Sequence, residues 1–313
     1  MTFSFVFPGH GAQMADMLNS LSSRQEVKDT LQEASDILGK DFNKIIEEGL
    51  QTSFSLLPTA APAMFTAGVA GYRAWQASGG QRPSVVAGHS HGEYSALVAA
   101  GVLSFKDALE AVHYRATLMQ GYKGSMAAVI GLGAHKVIEL CANVRNETGK
   151  VVEAVNFNAP GQMLISGDKE AVELAMVAAD AAGAKLTRKL GLAVPAHSSL
   201  LRPISEKLHE YFKQVEFRAP LIPIINNVDV SILNNPIDIK DAMARQVSRP
   251  VRWQKIIETM SSQGIKKVVQ CGPGDILYEL TTRIDNSLHS MAIRDESSLN
   301  EVMQTLTAGT TNM

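Results

Sequence analysis

Short apolar runs alternate with amphipathic stretches along nearly the whole chain, the pattern of a largely parallel sheet covered by helices. It predicts strands at 3–7, 84–87, 126–130, 162–166, 223–226 and 267–270. Three- and four-residue apolar spacing predicts helices at 61–77, 94–100, 105–121, 136–144, 169–182, 200–213, 239–247, 254–263 and 275–283. Turns fall at local Gly/Pro clusters, ASGGQRPS, FNAPGQ and CGPGD, with no internal repeat, low-complexity tract or long linker. Residues 124–194 have their own strand–helix–strand–helix–strand rhythm: SMAAVIGL, HKVIELCANV, an extended run through Ile165, KEAVELAMVAADAAG and AKLTRKL. That rhythm predicts a small α+β subdomain inserted into a larger domain made of 1–123 and 195–313, with a cleft between them as the natural ligand site.

Composition narrows the class. A chain of 313 residues exceeds a single domain of about 100–200 residues, and 45% hydrophobic against 19% charged residues allows a sizeable core and excludes a disordered chain. With 29 Lys+Arg against 31 Asp+Glu, the overall charge calls for neither nucleic acid nor an anionic membrane. Two cysteines, Cys141 and Cys271, lack the spacing of a disulfide framework or a zinc site, so a reducing cytoplasm is expected and no metal. The opening MTFSFVFPGHG has no basic segment before its apolar run, which Pro8-Gly9 ends too early for a signal or a membrane span. It reads as a first buried strand.

The sharpest chemical signal lies at residues 85–93, VVAGHSHGE. Here G-x-S-x-G follows an apolar strand and precedes the helical YSALVAAG, the setting of a nucleophile elbow with Ser90 at its tip. The competing reading is a serine that only caps the helix. A serine hydroxyl needs a base within hydrogen-bond reach, usually a neutral imidazole, so the eight histidines are weighed. His113 and His209 lie within helical patterns, His135 near a helix start and His289 in the C-terminal tail. His89 and His91 flank Ser90, where side chains on a sharp turn diverge. His197, in LAVPAHSSLLRP, follows Pro195 in a loop that can present the ring to a cleft; it is either the base or a satisfied structural histidine.

Arg115 is the second signal. In SFKDALEAVHYRATLMQG, a helix opened by Ser104 with Asp107 three residues on, Arg115 shares a face with Ala108, Val112 and Met119. Its neighbours three and four positions away, Ala111, Val112, Leu118 and Met119, offer no acid. A buried arginine there requires an anion from elsewhere, such as a substrate carboxylate; the alternatives are snorkelling to solvent or a distant Asp or Glu.

Taken together, FPGHGAQ, GHSHGEYSALVAAG, RATLMQ, NFNAPGQMLISG, VPAHSSLLRP, INNVDV and QCGPGDIL resemble the malonyl-CoA:acyl carrier protein transacylases, collinearly from the first strand to about Arg283. The resemblance implies an α/β fold, an α/β-hydrolase-like large domain with an inserted ferredoxin-like small subdomain. By position it implies Ser90 as acylated nucleophile, His197 as its base and Arg115 as the grip on the free malonyl carboxylate. It further implies backbone N–H groups of His10 and His91 as the oxyanion hole, the Gln246 carbonyl as the group orienting His197, and Asn158 as a polar residue near the cleft. Three positions depart from the family pattern: His10, where Gln is usual; His91, commonly apolar or Gln; and Ala61 before Pro62, where Gln is usual. Backbone donors survive such changes, so reaction class is less affected than acyl range.

The implied activity is transfer of malonyl from malonyl-CoA to the phosphopantetheine thiol of an acyl carrier protein, for fatty-acid or polyketide synthesis, with no tightly bound cofactor. Lys185, Arg188, Lys189, Arg202 and Lys207 offer basic surface for an acidic carrier, or an ordinary solvated face. Two other functions compete: a hydrolase of carrier-bound acyl groups using the same Ser90 and His197, and a non-catalytic carrier-binding component of a synthase.

Overall fold

The computed structural model describes residues 2–11, 17–48 and 57–307. In chain order its strands are β1 (Phe3–Phe7), β2 (Val85–Gly88), β3 (Ser125–Ile130), β4 (Val152–Ala159), β5 (Gln162–Gly167), β6 (Leu186–Lys189), β7 (Ile224–Ile225), β8 (Ile232–Leu233), β9 (Lys267–Cys271) and β10 (His289–Ile293). Its α-helices are α1 (Gln25–Leu38), α2 (Phe42–Glu48), α3 (Leu57–Ala77), α4 (Gly92–Ala99), α5 (Phe105–Gln120), α6 (Ala134–Thr148), α7 (Lys169–Ala181), α8 (Arg202–Phe212), α9 (Pro236–Gln246), α10 (Trp253–Ser262), α11 (Ile276–Ile284) and α12 (Glu296–Thr307).

The architecture is α/β. A six-stranded sheet runs in the order β10-β9-β1-β2-β7-β8, parallel except for the terminal β7–β8 pair. Every residue of β1 and β2 is buried, as strands covered by helices on both faces require. One side of this sheet carries Phe3, Phe5 and Phe7, with Trp75 and Tyr72 of α3 edge-on to them. The other side carries Val6, Val85 and Ala87 against Trp253, Ile256 and Ile257 of α10.

A four-stranded antiparallel sheet, β4-β5-β3-β6, packs its own apolar core against α6 and α7. The order from β3 to β6 is β-α-β-β-α-β, the ferredoxin-like arrangement. The extended run expected through Ile165 is two strands rather than one. Pro160 and Gly161, the latter at φ 69°, turn the chain back on itself between β4 and β5. Strand β4 is bridged to the segment before α10, where Phe157 N donates to Val251 O at 2.9 Å and Val251 N donates to Val155 O at 2.8 Å.

Other differences from the sequence pattern have local causes. Helix α3 reaches back to Leu57 and keeps Pro62 inside it. The missing N–H of Pro62 would leave the Pro58 carbonyl unpaired; His113 Nδ1 and Lys40 Nζ approach that oxygen at 3.1 and 3.4 Å instead. Helix α1 was not among the expected helices, although its buried stripe, Val27, Thr30, Leu31 and Ala34, follows helical spacing. His289 lies in β10 of the main sheet, paired in register with Lys267, and not in a tail.

Candidate active site

Strand β2 ends at Gly88, the chain turns through His89, Ser90 and His91, and α4 begins at Gly92. Ser90 has φ 54°, the left-handed region a non-glycine residue rarely occupies. The flanking glycines make the bend possible. A Cβ on Gly88 would lie 2.1 Å from Gly92 C, and one on Gly92 would lie 2.3 Å from Phe7 O. The FPGHG loop presses on the same bend, since a Cβ on Gly9 would lie 2.4 Å from His89 O.

His197 is also held at positive φ, 63°, and is 3% exposed. Its backbone N donates to Val247 O at 3.0 Å. Its Nε2 lies 2.7 Å from Ser90 Oγ and its Nδ1 lies 2.9 Å from Gln246 O. A backbone carbonyl accepts only, so Nδ1 carries the proton and the Nε2 lone pair faces the serine hydroxyl. Burial, reinforced by the positive charge of Arg115, pushes the imidazole down to about 3, so the ring is neutral in neutral solution. This pair, 107 positions apart in sequence, can transfer a proton from hydroxyl to imidazole.

Arg115 is 4% exposed in α5, so snorkelling does not describe it. Nor does pairing with a distant acid: among the described residues its Nε and Nη2 have no hydrogen-bond partner. Burial opposes its charge and holds the guanidinium below its ordinary value, while Tyr94 and Glu93 favour the charge only through space. The Ser104 cap that starts α5 is as read from the sequence, its Oγ accepting from Asp107 N at 3.0 Å.

The remaining expected residues fall nearby. Asn158, on β4, has Oδ1 2.9 Å from His89 Nε2, and the His89 ring meets Trp253 edge-on at 5.4 Å. His10 sits half-buried in the turn after β1. Ala12 and Gln13 of FPGHGAQ lie outside the described residues. His91 is 3% exposed with Nε2 unpartnered among the described residues. Burial and the Arg115 charge hold its imidazole well below the ordinary value. Ala61 is buried within α3.

Two residues here had no role assigned from sequence. Asn227, in INNVDV, accepts from Ser90 N at 2.8 Å and donates from Nδ2 to Gly88 O at 2.5 Å, fastening both ends of the bend. Glu93 is 2% exposed and accepts from Gln246 Nε2 at 2.6 Å. Asn227 was legible only as part of a motif, and Glu93 only as the acid that follows G-x-S-x-G. Of the basic residues expected on the surface, Lys185 is exposed just before β6, and Arg188 and Lys189 lie on the edge strand β6, where Lys189 pairs with Glu173 at 2.7 Å. Arg202 and Lys207 are exposed on α8. Among the described residues no group of three or more His, Cys, Asp or Glu is placed to hold a metal ion. Among the same residues, no helix is long and apolar enough to cross a membrane.

Residues 4–292 match the acyl transferase domain family. The malonyl CoA-acyl carrier protein transacylase of Escherichia coli strain K12 is 42% identical over 302 residues, covering 95% of this chain and 97% of that protein. The Bacillus subtilis strain 168 protein of the same name is 35% identical over 308 residues, covering 97% and 96%. The crystal structure of an acyl-carrier-protein S-malonyltransferase from Burkholderia pseudomallei 1710b superposes with a TM-score of 0.94 at 46% identity, covering 97% of this chain and 100% of that one. A malonyl-transacylase solved in complex with its type II PKS acyl-carrier protein superposes with a TM-score of 0.95 at 41% identity, covering 97% and 100%. With the fold, the serine bend and these relatives in agreement over nearly its whole length, the chain belongs to the malonyl-CoA:acyl carrier protein transacylase family of acyl transferases.

Proposed function

We propose that the chain moves a malonyl group from malonyl-CoA to the phosphopantetheine thiol of an acyl carrier protein through a covalent intermediate on Ser90. His197 Nε2 takes the hydroxyl proton as Ser90 Oγ attacks the thioester carbonyl. The backbone N–H groups of His10 and His91 receive the oxyanion, which is the reading that the pressure of the FPGHG loop on the bend supports. Collapse of the adduct expels the CoA sulfur, which leaves with the proton from His197. In the second half the carrier thiol gives its proton to His197 and attacks the acyl-serine, and the proton returns to Ser90 Oγ.

The observation that carries this reading is the chain of contacts from Ser90 Oγ through the His197 ring to the Gln246 carbonyl, 2.7 and 2.9 Å, beside a buried Arg115 with unpartnered nitrogens. A guanidinium in that state matches a second carboxylate on the acyl group and favours malonyl over acetyl. It also favours transfer of a dicarboxylic acyl group over general acyl hydrolysis. Asn158 acts through His89 at the edge of the cleft. Residues 124–194 form the inserted subdomain and 1–123 with 195–313 the catalytic domain, acting in the cytoplasm without a tightly bound cofactor; the basic side chains on β6 and α8 face the acidic carrier.

Intact-mass spectrometry after malonyl-CoA, and again after carrier protein, tests it. A malonyl adduct on Ser90 that is absent in S90A and passes to the carrier is expected. An adduct that forms in S90A, or one released only to water, overturns the proposal.

A further inference from the structure

Glu93 is a buried carboxyl that takes no part in the chemistry above. It lies in the first turn of α4, three residues beyond the nucleophile, and is 2% exposed. Gln246 Nε2, at the end of α9, donates to it at 2.6 Å, and the backbone of Asn227, beyond β7, favours its ionised form. The same two residues grip the serine bend. Gln246 Nε2 donates to Ser90 O at 2.7 Å and Asn227 Oδ1 accepts from Ser90 N at 2.8 Å. Gln246 also presents its backbone oxygen to His197 Nδ1 at 2.9 Å.

The geometry closes a ring. An amide nitrogen carries two hydrogens, and those of Gln246 have two acceptors, the Ser90 carbonyl and the Glu93 carboxyl. Both acceptors are on the nucleophile segment, while the carbonyl of the same residue sets the tautomer and direction of the base. Resting on the Ser90–His197 reading, we propose that Glu93 is a positioning residue: its carboxyl fastens Gln246 to the bend and so keeps the Gln246 carbonyl aimed at the imidazole. It touches neither the substrate nor a reacting atom and moves no proton in the reaction. Burial and Asp229 favour the neutral carboxyl, while Gln246, Asn227 and Arg115 favour the ionised one. Either form offers an oxygen to Gln246, so the action is geometric.

The test is a double-mutant cycle of E93A and Q246L, which keeps the backbone carbonyl that His197 uses. Ser90 acylation by malonyl-CoA is followed by rapid quench, together with labelling by a serine-directed fluorophosphonate and thermal unfolding. Each single variant is expected to lower the maximal acylation rate and the fluorophosphonate rate by about ten- to hundredfold, with KM for malonyl-CoA unchanged. The double variant is expected to lose no more than the worse single one. Losses that multiply, a wild-type rate in E93A, or a rise in KM alone would overturn the proposal. If E93A does not fold, E93M fills the same volume without an acceptor and takes its place. Failure of the wild type to acquire malonyl on Ser90 sinks the functional reading instead. The fluorophosphonate rates report on positioning in either case.

Discussion

Replacing Arg115 by leucine removes a buried cation whose Nε and Nη2 find no acceptor among the described residues. Glu93 does not neutralise it, because burial pushes that carboxyl up to about 8. The guanidinium is thus held in a costly state that a substrate carboxylate relieves. A hydrogen bond to a charged group contributes about 1.5–3 kcal/mol, so two of them amount to roughly 3–6 kcal/mol. At about 1.4 kcal/mol per factor of ten, kcat/KM for malonyl-CoA in R115L is expected to fall by roughly 10²–10⁴. Acetyl-CoA has no second carboxylate, and its kcat/KM should hold or rise. Two further signs are fixed by the same charge. Without substrate, R115L should unfold a few degrees higher than wild type, because an unpaired buried ion has been removed. Arg115 also depresses His197, so its loss raises the imidazole toward its ordinary value. Burial still holds the ring below that value, but its base form is then lost at a higher pH than in the wild type, and the acid limb of the acetyl-CoA profile should move to higher pH. Stopped-flow acylation with both thioesters across pH, with calorimetry on the same samples, measures all three. Equal losses on malonyl-CoA and acetyl-CoA would refute the argument.

The other expectations follow from single contacts. G92A places a Cβ 2.3 Å from Phe7 O and 2.6 Å from Pro8 O, so the FPGHG loop must move; a loss of about 1–3 kcal/mol in denaturant titration and of most acylation activity is expected. H91L keeps the backbone N–H and removes a buried imidazole with an unpartnered Nε2, so stability should rise by about 1–3 kcal/mol with acylation largely retained. An activity collapse in folded H91L would show that the side chain, rather than the backbone, serves the reaction. E93Q removes a group whose folded value is raised above its ordinary one. The stability this group contributes is present below about 4.5 and is lost as pH rises through about 8. Between those limits wild-type Tm should fall relative to E93Q, and parallel curves would exclude a raised Glu93.

Much of the architecture was legible along the chain because burial leaves a periodic record. Strand β1 reads as an uninterrupted apolar run and α5 as a stripe opened by Ser104, and both stand where that pattern places them. Ser90 was visible for the same kind of reason, since its glycines and the helix that follows are neighbours in sequence. Strand β10 was not, because a strand beginning with His and Ser leaves only a weak periodic trace, whereas α1 went unread although Val27, Leu31 and Ala34 recur at helical spacing.

The site itself depends on distance in space. Nothing local to Gln246 says that its carbonyl meets His197, that its amide meets Ser90 and Glu93, or that Asn227 fastens the bend from 137 positions away. Whether Arg115 reaches solvent, an acid or neither was likewise open until the packing around α5 was known. Local periodicity is written by each element's own burial, whereas hydrogen bonds between segments arise only once the chain has folded, and a linear pattern carries no coordinate for them.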